Sequence, residues 1–309
     1  MTLPLALVGI GKIARDQHIP SIRLNSGLEL AATVSRNPAA TVDGIPAFRS
    51  LSELLATMPE IAAISLATPP QARFADTAAA LAAGKHVMLE KPPGATLSEV
   101  HALADRALHA GVSLFATWHS REAAAVDAAR DWLRDKDLSA LRIAWKEDVR
   151  YWHPGQDWIW EPGGLGVFDP GINALSVMTA ILPHAVHLSA AELRFPANRD
   201  TPVAADLAFD DPNGAQITAA FDWLEQGDPT WTIDIETRQG KATLSEGGAR
   251  FRSDDGLEIK GEDEEYRRLY ARFLELIETN TSDVDLSPMR HVADAFTLGR
   301  RVTVPAFEW

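Results

Sequence analysis

Apolar residues fall in short runs along the first third of the chain, and those runs alternate with stretches of helical periodicity. Leu5-Ala6-Leu7-Val8 is the first run and leads into Gly9-Ile10-Gly11. A helix is predicted over about 13–24. Residues 28–34 read as a second strand, apolar almost throughout and so buried on both faces. Ser50-Leu51-Ser52-Glu53 is a capping box that opens another helix. Residues 61–66 form a third buried run, followed by a loop at Thr68-Pro69-Pro70 and an alanine-rich helix that Gly84 ends. A strand over 86–89 follows. Thr96-Leu97-Ser98-Glu99 caps a helix to about residue 110, and 112–116 closes the series. Strands joined by helices of this length predict a doubly wound parallel sheet.

The pattern then changes. After a helix at about 123–133, runs of alternating polarity occupy 141–149, 203–209, 216–223 and 231–237, with shorter pieces to 259. Pro212-Asn213-Gly214 and Gln239-Gly240 look like hairpin turns. Such runs predict an open, mainly antiparallel sheet with one face wet or given to an interface. A helix interrupts it over 167–182, and two more are expected over 264–279 and 288–302. The fold class is therefore α/β: an N-terminal Rossmann-type doubly wound sheet, then a C-terminal α+β domain. The boundary is expected near residue 120, giving a dinucleotide-binding domain over 1–120 and a substrate domain over 121–309.

Composition narrows the function. The length of 309 residues suits about two domains. With 29 Lys+Arg against 43 Asp+Glu the net charge is −14, which argues against a nucleic-acid partner. There is no cysteine, so disulfides, thiolate catalysis and cysteine-ligated metals are excluded. No apolar run nears the ~18 residues that span a bilayer, and the first residues do not read as a secretion signal. A soluble cytoplasmic protein without a membrane partner is expected.

Several positions carry candidate chemistry. Gly9-Ile10-Gly11-Lys12-Ile13-Ala14 sits where the first strand meets the first helix. There Gly9 permits the tight turn, Gly11 lets backbone approach a pyrophosphate, and Ala14 allows close helix packing. Lys12, Ile13, the Thr68-Pro69 loop, Glu90 and Lys91 are further cofactor-site candidates. At the end of the second strand, where an acidic side chain would select NAD, stand Ser35 and Arg36. A hydroxyl and a guanidinium attract a 2′-phosphate, so NADP is expected to be preferred with NAD usable. The alternative is that Arg36 is a solvated loop residue. Glu90-Lys91-Pro92 follows a buried strand at the edge where such sheets bind ligands, and a lysine there can hold a substrate oxygen.

Asp169 and Asn173, after Gly163-Gly164, are one helical turn apart and share a face. Asp169 could equally be an N-cap. Upstream, three tryptophans crowd 150–160, and indole faces suit the C–H face of a pyranose. His119, Glu147, Trp152, His153, Asp157 and Trp231 are candidates to meet its hydroxyls or frame its pocket, each with an ordinary core or interface role as the alternative. His184 and His187 lack a third ligand, so no metal is expected. The acidic run Glu262-Asp263-Glu264-Glu265 suits a helix start.

The chain resembles the glucose–fructose oxidoreductase/inositol dehydrogenase (Gfo/Idh/MocA) family. The marks are Gly9-x-Gly11-x-x-Ala14, the run from Gly84 to Pro92, and Gly163-Gly164 followed by Asp169. Within it, Phe115–Ser120 and the stretch from Trp145 to Asn173 are similar to bacterial sugar 1-dehydrogenases acting on L-arabinose and D-galactose. The resemblance implies hydride transfer from C1 of an aldopyranose to a nicotinamide, giving a lactone, with Lys91 and Asp169 catalytic. It also implies a homodimer formed through the open sheet. Many members carry histidine four residues after that aspartate. Here Asn173 stands, and an amide is no general base. The proton is then left to Asp169 or Lys91, with Asn173 orienting the C1 hydroxyl. Oxidation at another carbon, a non-catalytic nicotinamide sensor and a glycosidase that retains its NAD are the competing expectations.

Overall fold

The computed structural model describes residues 2–309. They form two compact units, one of the chain up to His119 with Glu265–Leu286, the other of Ser120–Glu264 with Ser287–Trp309.

The first unit is built on β1 (Leu3–Val8), β2 (Leu28–Val34), β3 (Ala47–Phe48), β4 (Ala63–Leu66), β5 (His86–Leu89) and β6 (Leu114–Ala116). They pair in parallel in the order β3-β2-β1-β4-β5-β6. Helices α1 (Ile19–Leu24), α2 (Leu51–Thr57), α3 (Arg73–Ala82) and α4 (Leu97–Ala110) connect them. Both capping boxes form: Ser50 and Thr96 accept from the amides of Glu53 and Glu99. The period-2 alternation of β1 sends Leu5 and Leu7 into one core and Ala6 and Val8 into the other. The strand order reverses at β1, so the crevice beyond its carboxyl end, at Gly9, is the ligand position of such a sheet.

The first helix departs from regularity. Ala14–His18 is a π turn, in which the Ile19 amide reaches back five residues to the Ala14 carbonyl. Pro20 follows, a residue with no N–H to give and a ring that crowds the preceding turn. The wider turn absorbs it and leaves His18 fully buried.

The second unit contains α5 (Val126–Leu133), β7 (Leu138–Lys146), α6 (Val149–Trp152) and α7 (Phe168–Ile181). Seven strands follow: β8 (His187–Pro196), β9 (Ala204–Asp210), β10 (Gln216–Asp222), β11 (Thr230–Thr237), β12 (Gly240–Ser245), β13 (Arg250–Ser253) and β14 (Glu258–Lys260). The chain then gives α8 (Glu265–Glu278) to the first unit and returns with α9 (Ser287–Leu298) and β15 (Arg300–Val304). The nine strands run β14-β13-β12-β11-β7-β10-β9-β8-β15. All neighbours are antiparallel except β7/β10 and β8/β15. One face buries Leu141, Ile143, Trp145, Ile217, Phe221 and Ile233 beneath helices. The nearly all-buried α7 comes so close that a Cβ on Gly171 would meet the Phe221 ring at 2.8 Å. The other face carries alternating polar residues, among them the Arg142–Glu236 and Arg194–Asp206 pairs.

Two elements differ from the sequence expectation. The last helix stops at Leu298, not at 302. A Cβ on Gly299 would clash with the Ala295 carbonyl at 2.4 Å, and Val302-Thr303-Val304 then favours an extended edge strand. Helix α8 follows the second domain in sequence yet belongs to the first unit. Its apolar stripe of Tyr266, Leu269, Tyr270, Phe273 and Leu276 packs into the core holding Leu5, Leu7 and Ile22.

Candidate active site

A cavity of about 570 Å³ opens at the crevice beyond β1. Gly9, Gly11, Ser35, Arg36, Thr68 and Pro69, all expected there from the sequence, line it. Gly9 has φ +93°, and a Cβ on it would meet the Thr68 amide nitrogen at 2.9 Å. Only glycine fits that turn. A Cβ on Gly11 would stand in open space, so the backbone there is bare toward the cavity. The donors and the room suit a dinucleotide pyrophosphate. Lys12 and Ile13 do not line the cavity: Lys12 pairs with Asp16 on an exposed face, and Ile13 is exposed. Arg49, Ser50 and Asp76 also line it and were not expected at the cofactor from the sequence. Burial pushes the Asp76 carboxyl up, against the opposing pull of Arg36. Arg49-Ser50 follows the two-residue strand β3, which has no periodicity to reveal it.

The Lys91 turn leaves the end of β5. The Lys91–Pro92 bond is cis. Glu90, expected at the cofactor, points its side chain inward and is buried. Its carboxylate accepts from the Tyr266 hydroxyl and lies 3.5 Å from His18 Nε2. His18 Nδ1 meets the Tyr270 hydroxyl at 2.7 Å, and Tyr270 donates to Ser65 Oγ at 3.0 Å. Burial alone would raise the Glu90 pKa. The hydrogen bond and charge of His18, the charge of His119 and the Tyr266 bond outweigh it and hold the group below the usual carboxylate range. Tyr266 itself is pushed well up, by burial first and then by the Glu90 charge. None of these partners carries a sequence signal beyond an amphipathic helix and one polar residue in a buried strand.

His119 ends the first unit. Its Nδ1 pairs with Glu265 at 2.5 Å, and its ring stacks on Tyr266 with centroids 5.4 Å apart. Burial would lower its pKa, but the charge and hydrogen bond of Glu265, with the charge of Glu90, raise it on balance.

The second unit gathers most of the sugar candidates. Asp169 lies inside the first turn of α7 rather than at the N-cap, which is Val167. It is buried, and its Oδ2 lies 3.3 Å from His153 Nε2. The His153 ring meets Trp223 edge-on at 5.3 Å. Buried Glu147 accepts from Trp223 Nε1 at 3.2 Å with one oxygen and from Trp231 Nε1 at 2.9 Å with the other. Trp152 packs on Trp231 at 5.3 Å and keeps 39% of its surface exposed. So Asp169, His153, Glu147, Trp231 and Trp152 form one connected group, with Trp223 the member that sequence reading missed. Asn173 lies one turn beyond Asp169, half-buried. Asp157 lies elsewhere and accepts from Trp309 Nε1. No cluster of potential metal ligands occurs among the described residues.

A parallel sheet with a glycine-lined crevice at its topological switch point defines a Rossmann-type dinucleotide-binding scaffold. Residues 3–117 match the oxidoreductase family with the NAD-binding Rossmann fold, Gfo/Idh/MocA. The galactose 1-dehydrogenase of Pseudomonas fluorescens is 44% identical over 315 residues, covering 98% of each chain. The crystal structure of D-galactose-1-dehydrogenase from Rhizobium etli superposes with a TM-score of 0.95 at 52% identity, over 99% of this chain and 98% of that one. A 3-ketoreductase from Actinomadura kijaniata shares the fold at 17% identity and a TM-score of 0.85, over 99% of this chain and all of that one. The chain belongs to the Gfo/Idh/MocA oxidoreductase family.

The His119–Glu265 pair makes stability depend on pH. A histidine whose pKa is raised by folding stabilises fully below its unfolded value, about 6.5, and loses that contribution as pH rises through the folded value. The melting-temperature gap between the wild type and His119→Gln should be largest near pH 6 and shrink toward pH 9. A gap independent of pH would contradict the pairing.

Proposed function

We propose that this protein is an NAD(P)-dependent aldose 1-dehydrogenase, oxidising C1 of an aldopyranose such as L-arabinose, D-galactose or D-fucose to the lactone. The observation that carries the reading is the buried Asp169–His153 pair joined to indoles fixed by Glu147. The similarity to galactose 1-dehydrogenases supports it. Trp152 and Trp231 offer apolar faces to the sugar ring. Glu147, which accepts from two indole N–H groups, is a further hydroxyl partner. His153 and His119 are the other hydroxyl partners.

When bound, the nicotinamide supplies the hydride acceptor. The backbone at Gly9 and Gly11 holds the pyrophosphate. Asp169 accepts the C1-hydroxyl proton as hydride leaves C1, while Lys91 stabilises the charge developing on that oxygen. Asn173 orients the hydroxyl. NADP is the preferred cofactor and NAD is usable, because two guanidiniums, Arg36 and Arg49, line one cavity with Ser35. The working location is the cytoplasm, in keeping with a chain free of cysteine. The open sheet face, with small Ala144, Ala208 and Ala220 among opposite charges, pairs two copies into a homodimer. No helix is long and apolar enough to cross a membrane among the described residues.

Initial rates with a panel of aldoses and both cofactors test the reading, with lactone as the identified product. Lys91→Ala and Asp169→Ala should each lower kcat about 10²–10⁴-fold, and wild-type kcat in both would overturn the assignment. Arg36→Ala should lower the NADP/NAD ratio of kcat/KM by about one decade; an unchanged ratio removes the phosphate role. Sedimentation should give twice the chain mass, and a monomer after Ala220→Arg.

A further inference from the structure

Arg73 opens α3 with 3% of its surface exposed. Its guanidinium reaches two separate stretches of backbone. Nε donates to the Thr68 carbonyl at 2.8 Å, and Nη2 donates to the same oxygen. Nη1 donates to the carbonyls of Glu90 and Pro92. Thr68 lines the nucleotide cavity. Glu90 and Pro92 are the two neighbours of Lys91. One planar group therefore ties the cavity-lining loop after β4 to both sides of the lysine turn after β5.

The chemistry of the group makes this more than packing. A guanidinium presents its donors in a fixed plane, so the carbonyls it holds are held at a set spacing. An ammonium is a point charge on a flexible stem and fixes no such spacing. The three carbonyls lie beyond the ends of β4 and β5, in loops rather than in the regular strand ladder. The inward anchoring of Glu90 restrains the turn from the other side.

We propose that Arg73 is a positioning residue that clamps the Lys91 turn to the nucleotide-binding loop, so that filling the cavity and setting the lysine are mechanically linked. In this role Arg73 holds backbone carbonyls and acts through Lys91. A misplacement of about 1 Å at a reacting group costs on the order of 10² in rate. The effect on turnover rests on the dehydrogenase reading; the link between loop and turn does not.

In Arg73→Lys, kcat should fall about 10–100-fold, while the sugar KM changes far less. The Kd for NADP, measured by fluorescence titration, should rise several-fold. In Arg73→Ala, millimolar guanidinium should restore part of kcat where equal urea does not. Unchanged kcat in Arg73→Lys overturns the proposal. So does a loss that follows only the unfolded fraction seen by circular dichroism, without guanidinium rescue. Should both variants fail to fold, hydrogen exchange on the wild type decides. ADP, which lacks the nicotinamide, should slow exchange in residues 89–95 as well as 68–73, and slowing confined to 68–73 overturns the link. If the wild type oxidises no aldose, the dehydrogenase reading falls, while the cofactor titration and the exchange measurement still judge the clamp.

Discussion

A carboxylate removed from water has to be met by donors, and around Glu90 that requirement organises much of the first unit. The alternation of β5 turns residue 90 inward as the chain leaves the sheet. Its partners come from far along the sequence: Tyr266 on α8 donates to it, and the His18 ring of the π turn lies 3.5 Å away. His18 then needs Tyr270, and Tyr270 finds Ser65 on β4. A buried polar network is stabilising only when its members are satisfied together. That condition sets the register of α8 and favours the wide turn in the first helix. It also gives the adjoining Lys91 turn a rigid base.

The second unit solves a similar problem with a different result. Glu147 is also a buried carboxylate, but its donors are two indoles. Their N–H groups are held inward, and Trp152, packed on Trp231, keeps part of its surface open. Polar satisfaction in the core thereby fixes the aromatic surface. Asp169, paired with His153 at the edge of the same group, adds a titratable pair to it.

Much of this was legible in the sequence, for reasons that differ from residue to residue. Gly9 and Gly11 could be read because their backbone demands are local and their place at a strand–helix junction is unambiguous. The capping boxes at Ser50 and Thr96 are likewise local. Asp169, His153, Trp152 and Trp231 could be read as chemistry but not as a group, since only the sheet brings 147, 152, 169 and 231 together. The fate of α8 was not legible at all. Its apolar stripe states that one face is buried and is silent about against which core. His18 and Tyr270 were lost for the same reason. Arg73 was not singled out at all, because nothing local marks a side chain that reaches the carbonyls of Glu90 and Pro92. The strand at Arg300–Val304 was masked by the helical pattern running into it.

The late return of α8 also affects how the chain is made. The core around Leu5, Leu7 and Ile22 lacks its lid until residues 265–278 have been synthesised and left the ribosome. The nascent sheet therefore waits, with an apolar flank uncovered, while nearly all of the second unit is translated. A fragment cut at residue 120 would carry the same uncovered flank permanently.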